Sequence, residues 1–353
     1  MTVLKLGSLF DGIGVFPLAA VHCGMEPVWA SEIEARPISI TKRHFPDMLH
    51  LGDITKISGA EIPPVDVITF GSPCQDLSQI GTRNGFAGKK SSLFYQAMRI
   101  IEEMRYATNG RYPAFCIWEN VAGAFSSNDR LDFAAMLRAF TGAEVSVPPR
   151  GWAHAGMVRG GCADTAWRLL DAQYWGEPAL VQRRKRVFVV ADFAGQRAGE
   201  VLFKPRTVLP FSTISGPGGL SATQRGGVPA AQTGRQVPIV RPFSLRRMRT
   251  MAQVGDQKGF CASFGRGGEP FPTLLASVTA PFSFWYEGEE SDGFLRVLTP
   301  LECERLMGLP ENWTKYGCKN EEISDHARYR ALGNSIALLC AEYVMAGIAE
   351  VMN

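Results

Sequence analysis

The first two hundred residues alternate short apolar runs with helical patterns, and that alternation admits few folds. "VLKLGSLF" (3–10) reads as a strand and "GVFPLAAVHCG" (14–24) as a helix ending at Gly24. "EPVWASEI" (26–33) and "EARPISITKRHF" (34–45) repeat the pair, as do "VDVITF" (65–70) and "SLFYQAMRIIEEMRYA" (92–107). "PAFCIWENV" (113–121) is a further strand and "RLDFAAMLRAF" (130–140) a further helix. "AWRLLDAQYWG" (166–176) predicts a helix and "RVFVVADF" (186–193) a late strand. Near-continuously apolar strands between amphipathic helices imply an α/β fold, a mostly parallel sheet covered on both faces.

After Phe193 the character changes. Gly, Pro, Ser and Thr dominate to about residue 280, with short β-like runs such as "VPIV" and "PTLLASV". This predicts a smaller, β- and loop-rich domain over 193–324. From Asp325 the chain returns to helix, with apolar residues at helical spacing after Asn334. The main domain is therefore expected to be 1–192 together with 325–353, within the 353 residues.

Charge and cysteine usage exclude several classes. The net charge is only +3, yet residues 201–250 carry eight Lys or Arg and no Asp or Glu. A one-signed block of this length favours a polyanion, nucleic acid, over a merely solvated face. The eight cysteines form no CxxC pair, and the opening residues read as a strand, not a secretion signal. They are expected to be reduced thiols in a cytoplasmic protein. None of the five histidines stands at ligand spacing, so no metal is expected, and no apolar run is long enough to span a bilayer.

"SLFDGIG" places Gly12 and Gly14 in the turn after the first strand, where backbone can approach a ligand closely. Glu32 ends the second strand about twenty residues on, where an acid can bind ribose hydroxyls, and Asp53 in "LGDI" can meet an adenine amino group. Together they suggest a nucleoside cofactor, a dinucleotide or S-adenosylmethionine. The missing third glycine of the dinucleotide fingerprint favours the latter.

"VDVITFGSPCQDLSQIG" sets a thiol, Cys74, just past a strand end on the ligand side of the sheet. Pro73 restricts the backbone there and pushes Ser72 toward extended geometry. Most lone cysteines are core residues, as Cys116 in "AFCIW" is expected to be. Cys74 differs in its company. "WENV" places Glu119 and Asn120 at the end of the next strand, on the same edge, and "QRRKRVF" places Gln182, Arg184 and Arg186 at alternate positions. A thiol and a carboxyl group on one sheet edge could serve as nucleophile and acid/base partner, and the alternating arginines share one face of an extended segment.

In this order the motifs resemble the C5-cytosine DNA methyltransferase family. "LFDGIG" is similar to its cofactor loop, "GSPCQDLS" to its nucleophile motif, "ENV" to its acid motif and "QRRKRVF" to its QxRxR motif. "RVLTPLECERLMGLP" and "ALGNSI" resemble its two closing motifs. The resemblance runs from Leu6 to about Gly347, except for the basic middle.

The resemblance implies a Rossmann-like methyltransferase sheet with helices on both faces, plus a target-recognition domain. It implies methyl transfer from S-adenosylmethionine to carbon 5 of a cytosine flipped out of duplex DNA. Cys74 would add to carbon 6, Glu119 would act at ring N3, and Arg186 or Arg184 would hold the base carbonyl and favour the thiolate. Burial of Glu119 would help it carry a proton.

Phe10, Asp11, Gly12 and Gly14 would form the cofactor loop, Glu32 would meet the ribose, and Ile33, Asp53 and Ile54 the adenine. Leu93, Asn334 and Ser335 would close the methionine end. Ile33 stands where the family often has an aromatic residue. The stretch after Cys74, with Ser78, Lys89 and Lys90, resembles the loop that closes over flipped DNA. Arg241, Arg246, Arg247, Arg249, Thr273 and Arg296 are the remaining candidate DNA contacts or braces. A compact monomer acting on DNA, without membrane or metal, is the expectation, as a restriction-modification, orphan or phage-protective methylase.

Three rivals stay open on the sequence. A tRNA cytosine methyltransferase of the same fold usually carries a Cys-Phe-Thr tripeptide, absent here. A non-catalytic DNA-binding module would have lost the nucleophile or the acid. A dinucleotide oxidoreductase would need the missing glycine.

Overall fold

The structure, a computed structural model, describes residues 3–72, 93–176, 180, 182–204, 239–243, 273–274, 283–287 and 294–353. The chain divides into two compact units, one of residues 1–170, 185–207 and 340–353, the other of 171–184 and 208–339.

The first unit is built on eight strands, β1 (Lys5–Leu9), β2 (Glu26–Ser31), β3 (Leu49–His50), β4 (Val67–Phe70), β5 (Phe115–Val121), β6 (Ala155–Arg159), β7 (Asp164–Asp171) and β8 (Lys185–Asp192). They form one sheet in the order β3-β2-β1-β4-β5-β8-β7-β6. The first five are parallel, β8 is antiparallel to β5, and β6 is antiparallel to β7. Strand order reverses between β1 and β4. The crevice outside the carboxyl ends at such a reversal is where open α/β sheets bind ligands.

Helices α1 (Val15–His22), α2 (Ala35–His44), α3 (Leu93–Ala107) and α4 (Leu131–Thr141) alternate with the strands as their periodicity predicts. The short α5 (Ala198–Leu202) follows β8. One face of the sheet buries Leu9, Trp29, Phe70 and Trp118 against Phe94 and Ile101 of α3 and Phe133 and Phe140 of α4. Alternate strand residues, Leu6, Ala30, Val67 and Ile117, are fully buried on the other face. Gly7 is required by this packing: a Cβ there would stand 2.2 Å from Cζ2 of Trp29. The closing helix of the chain, Leu338–Met352, reaches α1 through His22 Nδ1 and Glu342 Oε1, 2.5 Å apart.

One expectation fails. Residues 166–176 are not a helix; they form most of β7 and a 3-10 turn, Ala172–Tyr174. Register with β6, from Ala155↔Arg168 to Arg159↔Asp164, decides the backbone there, although the apolar spacing is helical. The sheet is accordingly mixed at that end.

The second unit holds a three-stranded antiparallel sheet in the order β11-β10-β9, from β9 (Ile239–Phe243), β10 (Ser283–Glu287) and β11 (Phe294–Val297). "VPIV" therefore enters β9, whereas all of "PTLLASV" except Thr273 and Leu274 lies outside the described residues. Helices α6 (Pro300–Leu306) and α7 (Asp325–Asn334) follow, and α8 is the closing helix (Leu338–Met352). A capping box starts α6: Thr299 Oγ1 accepts from Glu302 N–H and Glu302 accepts from Thr299 N–H. Beneath it Glu304 is fully buried. It accepts from Asn312 N–H (2.7 Å), Thr314 N–H (2.8 Å) and Thr314 Oγ1 (2.5 Å), and pairs with Arg328 Nη2 at 3.1 Å.

Candidate active site

The turn after β1 is held in left-handed backbone at Phe10 (φ 54°), Gly12 (φ 60°) and Gly14 (φ 78°). Around Gly12 the space is open, with no heavy atom within 4 Å of where a Cβ would stand. Glu32, at the end of β2, binds this loop directly. Its Oε2 accepts from Gly12 N–H at 2.9 Å, while Oε1 accepts from the amides of Ile33 (2.7 Å) and Glu34 (3.0 Å). Ile33 beside it is 73% exposed, a large apolar side chain outside the core.

Asp11 is buried under the loop. Thr41 Oγ1 stands 3.3 Å from its Oδ2, and Oδ1 has no hydrogen-bond partner. Burial pushes this carboxyl up to about 7; the Ser8 and Thr41 hydroxyls pull it back part of the way, and Glu32 adds to the rise. Asp53 caps the 3-10 turn Ile54–Lys56, its Oδ1 accepting from the Thr55 amide (2.9 Å) and hydroxyl (2.8 Å). Those bonds hold it below the usual carboxylate range. The Ile54 side chain belongs to the core, and Leu93 opens α3 packed against that core.

Next along the edge, β4 ends at Phe70, paired with Trp118 of β5, and Gly71 and Ser72 follow. The Glu119 carboxylate lies over Gly71, its Oε2 3.1 Å from where a Cβ would be. Glu119 is 8% exposed, and Arg186 Nε of β8 pairs with its Oε1 at 2.9 Å. The antiparallel register explains the pair: Val121 stands opposite Arg186, so Glu119, two residues away, lies on the same face. Asn120 and Trp118 point to the other face. Asn120 Nδ2 donates to the Ser72 carbonyl (3.2 Å) and Trp118 Nε1 to Ser72 Oγ (3.1 Å).

In the second unit Arg184 is buried. Its N–H groups donate to the carbonyls of Leu274 (2.9 Å), Gly333 (2.9 Å) and Ser335, and its own amide donates to Asp171 Oδ1 at 3.0 Å. Thr273 Oγ1 donates to the Arg183 carbonyl at 2.6 Å. Gln182 is fully buried, and Asn334 is exposed at the end of α7.

The structure thus gathers Phe10, Asp11, Gly12 and Gly14 in one loop with Glu32 bonded to it, and Glu119 with Arg186 on the neighbouring strands. It directs Arg184 and Thr273 to main-chain carbonyls. Cys74, Ser78, Lys89, Lys90, Arg246, Arg247 and Arg249 lie outside the described residues. Of Arg241 and Arg296 the backbone alone is described, in β9 and β11. Sequence reasoning gave no role to Ser72, Trp118 or Thr41. Strand alternation could have found Trp118, on the same face as Asn120; Thr41, thirty residues from Asp11, has no local signal. Among the described residues no group of three or more His, Cys, Asp or Glu could hold a metal ion, and no single helix is long and apolar enough to cross a membrane.

Known proteins resemble this chain along most of its length. The M.HhaI Type II methyltransferase of Haemophilus parahaemolyticus is 23% identical over 367 residues, covering 100% of this chain and 96% of that one. A protein of Escherichia phage P1 named a DNA N-6-adenine-methyltransferase is 24% identical, covering 96% of this chain. This chain spans only 60% of that phage protein, so the adenine chemistry in its name is not carried over. The crystal structure of the Dnmt2 methyltransferase of S. pombe matches the whole chain with a TM-score of 0.58 at 15% identity, a likeness of fold alone. Methyltransferases of this fold use S-adenosylmethionine. The sequence matches the family described as C-5 cytosine-specific DNA methylase over residues 4–205 and 244–350, and the chain belongs to that family of DNA cytosine methyltransferases.

Proposed function

We propose that this protein methylates carbon 5 of a cytosine turned out of duplex DNA, with Cys74 as nucleophile. The supporting observation is the largely buried Glu119–Arg186 pair, 2.9 Å apart, over the Gly71–Ser72 segment that leads into Pro73–Cys74. A carboxyl group and a guanidinium placed there match the two polar demands of the reaction, at ring N3 and at the base carbonyl.

The chain's own residues divide the work. Extruding the base costs a few kcal/mol. The Cys74 thiolate adds to carbon 6, and negative charge moves into the ring toward N3 and the carbonyl oxygen. Arg186 leaves Glu119 for that oxygen; the buried carboxyl, freed of its guanidinium, takes up a proton from solvent and donates it to N3, which returns it when the sulfur is eliminated. Carbon 5 is then an enamine carbon and nucleophilic. After transfer, water removes the carbon 5 proton and the sulfur is eliminated, which restores the ring.

The residues near β1 and β2 fit S-adenosylmethionine: an open left-handed glycine turn, a buried carboxylate oxygen of Asp11 without a partner, and the exposed apolar Ile33 for a flat base. When bound, that cofactor supplies the methyl group. Phe10, Asp11, Gly12, Gly14, Glu32, Ile33, Asp53, Ile54 and Leu93 would hold it.

Residues 1–192 and 325–353 form the catalytic domain in this reading, and 193–324 recognise the target. The basic span 201–250 supplies phosphate contacts. The protein is a modification methylase of the restriction-modification, orphan or phage-protective kind, and acts as a monomer. Labelled-methyl transfer to duplex DNA and to tRNA tests the reading, with wild type and Cys74→Ser side by side. Label on DNA, lost in Cys74→Ser while DNA binding survives, is expected. Label on tRNA alone, or an active Cys74→Ser protein, would overturn it.

A further inference from the structure

Ser72 is the last described residue before Pro73 and Cys74, and it is fixed from two directions. Its hydroxyl accepts from the indole N–H of Trp118 at 3.1 Å, and its carbonyl accepts from Asn120 Nδ2 at 3.2 Å. Both donors are buried side chains on one face of β5, and Asn120 is itself held by Val121 N–H donating to its Oδ1 at 2.8 Å. The donors alternate with Glu119, so the strand that carries the acid also grips the chain entering the nucleophile segment.

The need for such a grip follows from the sequence. Pro73 has no N–H to donate, so the chain loses one anchor where β4 ends. A residue before proline is also confined to extended backbone. Fixing the carbonyl and side chain of Ser72 therefore fixes where Pro73 begins. Cys74 is two residues on, within roughly 7 Å at full extension.

We propose that Trp118, acting through the Ser72 hydroxyl, is a positioning residue that sets where the Cys74 sulfur meets carbon 6. The Trp118 indole is fully buried, and a buried indole N–H needs an acceptor wherever it sits. An acceptor drawn from a core residue would serve stability alone. Here it is the side chain two positions before the nucleophile, and the ring is fixed by an edge-on contact with Phe94 at 6.2 Å between centroids. A rigid indole is thus coupled to the start of the reacting segment.

The inference rests on Cys74 being the nucleophile. Its test is the rate of covalent adduct formation with duplex DNA carrying 5-fluorocytosine, measured for wild type, Ser72→Ala, Ser72→Thr, Trp118→Phe and the Ser72→Ala/Trp118→Phe pair. Melting temperature and DNA affinity are measured alongside. Ser72→Ala and Trp118→Phe are each expected to slow trapping about 5- to 10-fold with DNA affinity unchanged, the size of one neutral hydrogen bond. The double variant is expected to be no slower than either single one, and Ser72→Thr, which keeps the hydroxyl, to recover most of the rate. If melting temperature falls while trapping keeps its wild-type rate, the bond is only structural and the inference is overturned. If Trp118→Phe does not fold, Ser72→Ala against Ser72→Thr still decides it. Absence of any wild-type adduct would instead remove the Cys74 reading itself.

Discussion

Replacing Asp11 by Asn should change how stability depends on pH, by an amount the structure sets. The Asp11 carboxyl is buried beneath the glycine turn and holds its proton up to about 7, against an ordinary value of 3.8. An unfolded chain releases that proton near the ordinary value. Between the two values the unfolded state is the one favoured by deprotonation, so stability falls as pH rises through this window and levels off above it. The cost of Asp11 is roughly 2 kcal/mol at pH 5 and roughly 4 kcal/mol at pH 8, a difference of roughly 2 kcal/mol. Asparagine keeps the shape and cannot ionise. Urea unfolding of wild type and Asp11→Asn at pH 5 and pH 8 reads the difference directly. The variant should gain roughly 2 kcal/mol on wild type between the two pH values. An equal gap at both pH values would mean that Asp11 is ionised in the fold and that burial does not govern it.

Glu119→Gln removes the acid while keeping the amide shape. Methyl transfer should fall by about 10²- to 10⁴-fold, with DNA affinity retained in gel-shift titration. The two arginines of "QRRKRVF" should separate. Arg186→Ala should fold and lose about 10²-fold or more in kcat, whereas Arg184→Met strips three main-chain carbonyls of their donor and should lower stability by about 3 kcal/mol in urea unfolding. Glu304→Ala leaves the buried Arg328 with only the exposed Asp325 as an ion partner and should cost about 3–5 kcal/mol, seen as a lower melting temperature.

Strands β1, β2, β4 and β5 and the helices between them were legible because each carries its own apolar signature, whereas the two-residue β3, with Leu49 exposed, has none. Residues 166–176 were not legible. Ala166, Leu169 and Leu170 stand at helical spacing, and nothing local announces that β6, whose side chains are mostly exposed, will pair with them. Glu119 and Arg186 were legible as a motif, and the β5–β8 register supplied the reason they meet. Arg184 was read as their neighbour, but its partners Leu274 and Ser335 lie 90 and 151 residues away, beyond any periodicity. The capping box at Thr299 and Glu302 stands in "TPLE", a local signal for α6 that the motif reading of this stretch passed over.

The account depends most on a sulfur–carbon bond that forms and breaks in each turnover. Mass spectrometry of peptides from wild-type protein incubated with S-adenosylmethionine and fluorinated duplex DNA tests it directly, because fluorine at carbon 5 blocks the final elimination. The account predicts a nucleotide adduct on the peptide containing Cys74 and on no other cysteine. An adduct elsewhere, or methylated product with no adduct at all, would contradict it.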